Sequence, residues 1–419
     1  MSTRQPPLRG LRGLPRNVWV LTLTSFLTDV SSEMVVNLLP LFLVGVLGVR
    51  TGVVGLIEGV AEATASLVKV GSGWLSDRQP RRKPLVVLGY GLSTAAKPFL
   101  YFAKSWSTVL GVYADDYARQ SAVTTSVDTG SAGPGNFAGF RKHVIEPATS
   151  RVLVYLHVSF AGIYAFSKTI MVGESHDFRL MAAREAAEVA QANPDVIIGI
   201  KVREGRHASG PTGIMPLDVA LDVADVTGLP LMVHIDEPPP TYEAVVERMR
   251  PGDVLTHCFR PFPNTPMHGD GRIKEVVLAA RARGVLFDVG HGMGSFSWQT
   301  ARTMVDAGFL PDTISSDVHA LCIDGPAHDL LRTMTKFHAL GLSLPQIISA
   351  TTTAPAAAIR RPDLGTFADG SAGDASVIKL EDNPIALEDV TGVLVEHPQR
   401  LTARGLVIGG HWHDAVARE

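Results

Sequence analysis

The sequence predicts an α/β fold: a (β/α)8 TIM-type barrel lacking its first strand, with a small C-terminal β-subdomain behind it and about three transmembrane helices ahead of it. Three observations carry that expectation. Short apolar runs of β type alternate with helical patterns across residues 121–319, the rhythm of a parallel sheet. Four of these runs deliver a side chain of metal-binding type at or near the C-terminal end: Lys201, His234, His257 and Asp317. In a parallel barrel all strand ends open onto one face, so these four can converge although far apart in sequence. Finally, long apolar stretches fill much of residues 18–103.

Composition bounds the class. The chain has 419 residues, enough for two domains with one large core. With 46% hydrophobic and 19% charged residues it is too apolar for an ordinary soluble enzyme and too polar for a complete transporter. A net charge of −3 gives no reason to expect nucleic acid as a partner. Cys258 and Cys322 are the only cysteines, too few for a disulfide framework, which points to a reducing compartment. The first residues do not read as a signal peptide.

Residues 1–16 carry Arg4, Arg9, Arg12 and Arg16 and no acid. Apolar spans follow at 18–49, 53–75 and 84–103, each near or above the ~20 residues that cross a bilayer. Asp29 and Glu33 share a helix face in the first. They are either proton or substrate groups or relics without the helices that paired them. Between the second and third spans stands Gly73-Trp-Leu-Ser-Asp-Arg-Gln-Pro-Arg-Arg-Lys83. This resembles the loop between helices two and three of the major facilitator superfamily: Gly73, Leu75, Asp77, Arg78, Arg81 and Arg82 match, and Pro80 replaces a Gly. The resemblance covers about residues 15–112. A complete transporter of that kind has about twelve helices, so this piece alone is not expected to transport. The basic tail and the 78–83 loop are expected in the cytoplasm. Lys97 weakens the third span, so the rest of the chain is expected to stay on that side.

The barrel elements come in order. Strands are expected at 121–128, 152–159, 196–203, 230–236, 253–259, 285–290 and 313–318. Helices are expected at 136–146, 174–193, 215–227, 241–250, 272–283 and 297–308. That makes one strand too few for closure, and the first is the missing one. The glycine-rich 129–135 lacks the Lys-Ser/Thr of a phosphate loop and reads as a strand-to-helix loop lining the site. After Pro355 short strands at 375–379, 391–395 and 405–408 form the β-subdomain. The division expected is therefore 1–112, 113–360 and 361–419.

Five segments carry a second resemblance: Val127-Asp-Thr-Gly-Ser-Ala-Gly-Pro-Gly-Asn-Phe137, Gly199-Ile-Lys-Val-Arg203, Val233-His-Ile-Asp236, Phe287-Asp-Val-Gly-His-Gly292 and Ser315-Ser-Asp-Val-His319. Together they resemble the amidohydrolase superfamily, in particular its dihydroorotase-like deacetylases, over about 113–413. The resemblance implies metal-dependent hydrolysis of an amide, cyclic imide or ester of a small molecule by metal-activated water. It implies a cofactor of zinc, one or two divalent metals, with Lys201 carbamylated and bridging two of them, His234 and His257 binding the more buried metal, and Asp317 touching the other and taking the water's proton. His291 and Arg203 are the implied substrate contacts. His157, His207, His268 and His319 are expected on the polar rim or as supporting partners, and Cys258 as packing. The chain departs from the pattern at its start, where the family's first strand ends in His-x-His. The only such pair is His411-Trp-His413, read as a tail. The enzyme is therefore expected to hold at most one zinc tightly and to be impaired. The rival readings are a membrane transport fragment and a non-functional fusion of two truncated modules.

Overall fold

The computed structural model describes Gly59 and residues 110–165 and 171–416. The apolar spans (Gly59 apart), Asp29, Glu33 and the 73–83 motif lie outside the described residues. Among the described residues no helix is long and apolar enough to cross a membrane. Residues 106–419 make one compact unit.

That unit opens with helix α1 (Ala114–Ser121), where Asp115 and Asp116 occupy the first turn and Arg119 the last, complementing the helix dipole. The helix ends at Ala122 in the left-handed region, and strand β1 runs only over Thr125–Thr129. The strand expected from residue 121 is thus corrected: its first residues finish a helix. α1 ties together the two sides of an open sheet. The Asp115 carboxylate accepts from the backbone N–H of Thr149 (2.9 Å) and Ser150 (2.8 Å), ahead of strand β2 (Arg151–His157). On the other side the Tyr117 and Ser316 hydroxyls are 2.6 Å apart, and Ala320 N–H donates to the Leu110 carbonyl at 2.8 Å. A helix cannot add a rung to a β-ladder, because its backbone is satisfied internally, so within α1 itself the seam is made by the side chains of Asp115 and Tyr117. Tyr117→Phe is expected to lower stability by about 1 kcal/mol in urea denaturation; an unchanged midpoint would show that the hydroxyl does not hold the seam.

The sheet continues through β3 (Ile197–Glu204), β4 (Leu231–Ile235), β5 (Val254–Leu255) and β6 (Leu286–Phe287), in sequential order and all parallel. The seventh expected strand, 313–318, is reduced to a parallel bridge between Asp288 and Thr313. The N–H groups of Val289, His291 and Gly292 donate to the carbonyls of Thr313, Ser315 and Ser316, but Ile314 N–H is diverted to the Ala350 carbonyl. Only half a ladder forms.

Between strands run α2 (Phe137–Phe140), α3 (Ala183–Ala192), α4 (Met215–Thr227), α5 (Tyr242–Arg248), α6 (Glu275–Arg283) and α7 (Trp298–Asp306). The helix expected over 174–193 shortens to α3, because Met181 pairs with Ser159 and the Asp177 side chain caps a single 3-10 turn. Val154, Leu156, Ile200, Val202, Leu231 and Val233 share one buried cluster with Ala186, Leu217 and Ala220 of the helices; each large side chain so buried contributes about 1.5–3 kcal/mol. Leu153, Tyr155 and Ile198 belong to a second cluster with Ala356 and Leu364.

Helices α8 (Leu330–Ala339), α9 (Leu344–Thr351) and α10 (Thr353–Ala358) lead to the C-terminal strands. Strands β7 (Ala375–Glu381), β10 (Arg400–Ile408) and β11 (His411–Asp414) form an antiparallel sheet, and β8 (Ile385–Glu388) pairs with β9 (Leu394–His397). His411-Trp-His413 is therefore no loose tail. It is an edge strand, with His413 opposite Leu406. The β8–β9 hairpin is pinned to the barrel: the Trp298 indole N–H donates to the Leu387 carbonyl at 3.0 Å, and Trp298 N–H to Asp389 at 2.9 Å.

Candidate metal centre

Strand register assembles the site. Lys201 lies opposite His157 on β2, and Arg203 opposite His234 on β4. Side chains alternate along a strand, so Lys201 and Arg203 face away from Ile200 and Val202, which join the helix-side core. Lys201 is only 3% exposed, and burial pushes its pKa down to about 8 against the pull of Asp317. A buried ammonium is costly. Among the described residues no carboxylate lies within ion-pair distance of it.

His257 stands just past β5 with φ 72, and Asp317 just past the Thr313 bridge with φ 46. Both are non-glycine residues in the left-handed region, at a cost of order 1–3 kcal/mol each. His257 Nδ1–H donates to the Gly290 carbonyl at 2.6 Å, which leaves Nε2 as the lone-pair atom. That Nε2 lies 2.6 Å from His234 Nδ1, with the rings edge to face. Burial holds both imidazoles well below their usual pKa, helped at His234 by Arg203 and at His257 by His234. Both rings are thus neutral, the form that can ligate a metal. His234 Nε2 is buried without a hydrogen-bond partner, 3.8 Å from an Asp236 carboxylate oxygen.

The 289–292 turn reaches in from β6. At Gly290 (φ +47) a Cβ would lie 2.1 Å from Thr256 Oγ1 and 2.8 Å from His257 Nδ1; at Gly292 (φ +52) it would lie 2.6 Å from Asp317 Oδ2. The glycine-rich 129–135 loop does line the site: a Cβ on Gly130 would meet Lys201 Cγ at 2.8 Å.

Sequence reasoning missed two buried supports. Asp288 accepts from the hydroxyls of Thr256 (2.7 Å), Thr313 (2.6 Å) and Ser315 (2.7 Å), clipping the strand ends beneath Asp317, and burial raises its pKa. Its signal was present in the Phe287–Gly292 motif, but alternation alone could not name its partners. The second is Glu174, 3.3 Å from His157 Nε2 and 3.5 Å from Arg203 Nε. Burial opposes the Glu174 carboxylate, but Arg203 and His157 together hold its pKa below normal. His157 is wholly buried, so it is no rim residue, whereas His207 is exposed and His268 half-buried. His319 is half-buried, and Cys258 is buried in the main core as expected. His291 is also wholly buried, stacked on Phe296; Arg203 keeps part of its side chain exposed.

Among the described residues no group of three or more His, Cys, Asp or Glu is placed to hold a metal ion. The donors that do gather are two neutral imidazoles, one of them with an orphaned nitrogen, beside a buried lysine. They fit a single ion if Lys201 supplies an anionic oxygen as its carbamate.

No protein-family model matches the chain. Over 302 residues, 72% of its length, the chain is 32% identical to a deacetylase of Brucella anthropi and spans 74% of that protein. Its fold matches the crystal structure of an adenine deaminase with a TM-score of 0.69 at 30% identity, covering 74% of this chain and 82% of that one. The chain belongs to the amidohydrolase superfamily. A dihydroorotase of this superfamily superposes with a TM-score of 0.67 at 31% identity, covering 73% and 81% of the two chains. The six-stranded curled parallel sheet matches the barrels of these neighbours, and the deacetylase relative supports the hydrolase class. A separate 95-residue match, 23% of this chain, is 41% identical to an uncharacterized MFS-type transporter of Methanocaldococcus jannaschii. It spans about a quarter of that transporter, 24% of its length.

Proposed function

We propose that the chain is a zinc-dependent deacetylase that hydrolyses an amide, cyclic imide or ester of a small molecule. The observation that carries this reading is the 2.6 Å approach of His257 Nε2 to His234 Nδ1 beside buried Lys201. His234 and His257 would hold the zinc with the Lys201 carbamate. A zinc ion bound there supplies Lewis-acid polarisation of the carbonyl and a more acidic water. Asp317 then takes the water's proton at its carboxylate as the water oxygen bonds to the carbonyl carbon. It returns that proton to the amine or alcohol as the C–N or C–O bond breaks. Arg203, braced by Glu174, is the proposed substrate contact; His291, the other contact implied by the sequence, is wholly buried with both ring nitrogens bonded to Gly292 and Lys336, and supports the site from behind. The deacetylase relative supports the substrate class.

The sequence ahead of β1 contains no His-x-His, which leaves Asp317 and the carbamate for a second metal, so one tight zinc and slow turnover are proposed. The division into 1–112, 113–360 and 361–419, with the first part attaching the hydrolase to a membrane from the cytoplasmic side, rests on the transporter match. Metal analysis of the purified full chain should find about one zinc per chain, together with hydrolysis of acetylated amino compounds or acetyl esters. A metal-free protein that stays inactive after zinc is added would overturn the reading.

A further inference from the structure

Lys336 on α8 is 0% exposed, the most thoroughly buried lysine or arginine among the described residues. Its ammonium has three N–H donors and finds three acceptors: His291 Nε2 at 2.6 Å, the Pro326 carbonyl at 3.1 Å and the Glu388 carbonyl on β8. It also lies 5.3 Å from the centre of the Phe296 ring, on which His291 stacks. Because the Gly292 carbonyl 2.9 Å from Nδ1 can only accept, the ring proton sits on Nδ1, and His291 Nε2 accepts from Lys336. The ring is therefore fixed in position and tautomer. It hangs from the turn whose Gly290 carbonyl orients His257 and whose Gly292 abuts Asp317.

We infer that Lys336 is a positioning residue: through His291 it locks the 289–292 turn, and so couples the β8–β9 hairpin to the orientation of His257. The inference rests on His257 being a metal ligand only for its effect on zinc, not for the coupling itself. A local packing role alone would loosen the hairpin without reaching His257. The two are separable because the hairpin has a second pin, the Trp298 indole N–H on the Leu387 carbonyl, which does not touch His291.

The test compares Lys336→Met with Trp298→Phe in the full chain. Without metal, the His257 Nδ1–H resonance is followed by 1H–15N NMR on histidine-labelled protein and assigned with His257→Gln. It should shift or exchange rapidly in Lys336→Met and stay in place in Trp298→Phe. With zinc, chelator competition should show a Kd about tenfold or more weaker in Lys336→Met, while Trp298→Phe binds as the parent does. Lys336→Arg, which keeps a donor toward His291, should recover part of the NMR signature. An unmoved resonance in Lys336→Met, or equal shifts in both variants, would overturn the coupling. A shifted resonance in a chain that binds no zinc would uphold the coupling and refute the zinc reading instead.

Discussion

His257→Ala should strip the bound zinc and lower kcat/KM by roughly three orders of magnitude or more, the scale expected when metal activation of water is lost. The loss should exceed that of any surface substitution because His257 has no substitute nearby. Its Nε2 faces His234 at 2.6 Å while its Nδ1 is anchored on Gly290. Removing the ring also leaves the Gly290 carbonyl without its donor and His234 Nδ1 without its neighbour. His257 sits at φ 72, a conformation alanine adopts only at a cost, so stability should fall as well. His257→Asn, which tolerates the left-handed region better, separates the two effects: stability recovers and zinc does not. Zinc stoichiometry by mass spectrometry, beside a urea titration of the same samples, reads both. A His257→Ala protein retaining full zinc and activity would remove His257 from the centre.

Gly290→Ala is expected to be strongly destabilising for a change of one methyl group. The added Cβ would stand 2.1 Å from Thr256 Oγ1, whose hydroxyl donates to Asp288, and 2.8 Å from His257 Nδ1. Neither neighbour is a flexible chain end: one is clipped to a buried carboxylate and the other donates to the Gly290 carbonyl. The strained φ and the overpacking together amount to about 2–5 kcal/mol. A denaturation midpoint within error of the parent would mean that the turn moves freely, contrary to the bonds from Val289, His291 and Gly292 into the 313–316 segment.

The order of βα units, the strands carrying Lys201 and His234, and the helix at 215–227 could be read directly from the sequence, because apolar periodicity and turn residues are local properties. Lys201, His234, His257 and Asp317 could be nominated as candidates in the same way, since each stands at or just past the end of an apolar run. What stayed hidden depended on partners far along the chain. Thr313 and its neighbours read as a strand, yet Ile314 gives its N–H to Ala350, a choice made by the docking of α9. Ala114–Ser121 was no recognisable part of a barrel; it became a seam because Asp115 and Tyr117 find Ser150 and Ser316 only after the sheet curls. Lys336 looked like an ordinary helix lysine, and only the fold brings His291 and the Glu388 carbonyl to it across 45 and 52 residues of chain. Local composition selects the elements and the reactive side-chain types. Which polar groups are buried, and therefore which must be paired, is decided when the elements pack, because the cost of an unpaired buried group exists only once water has been excluded.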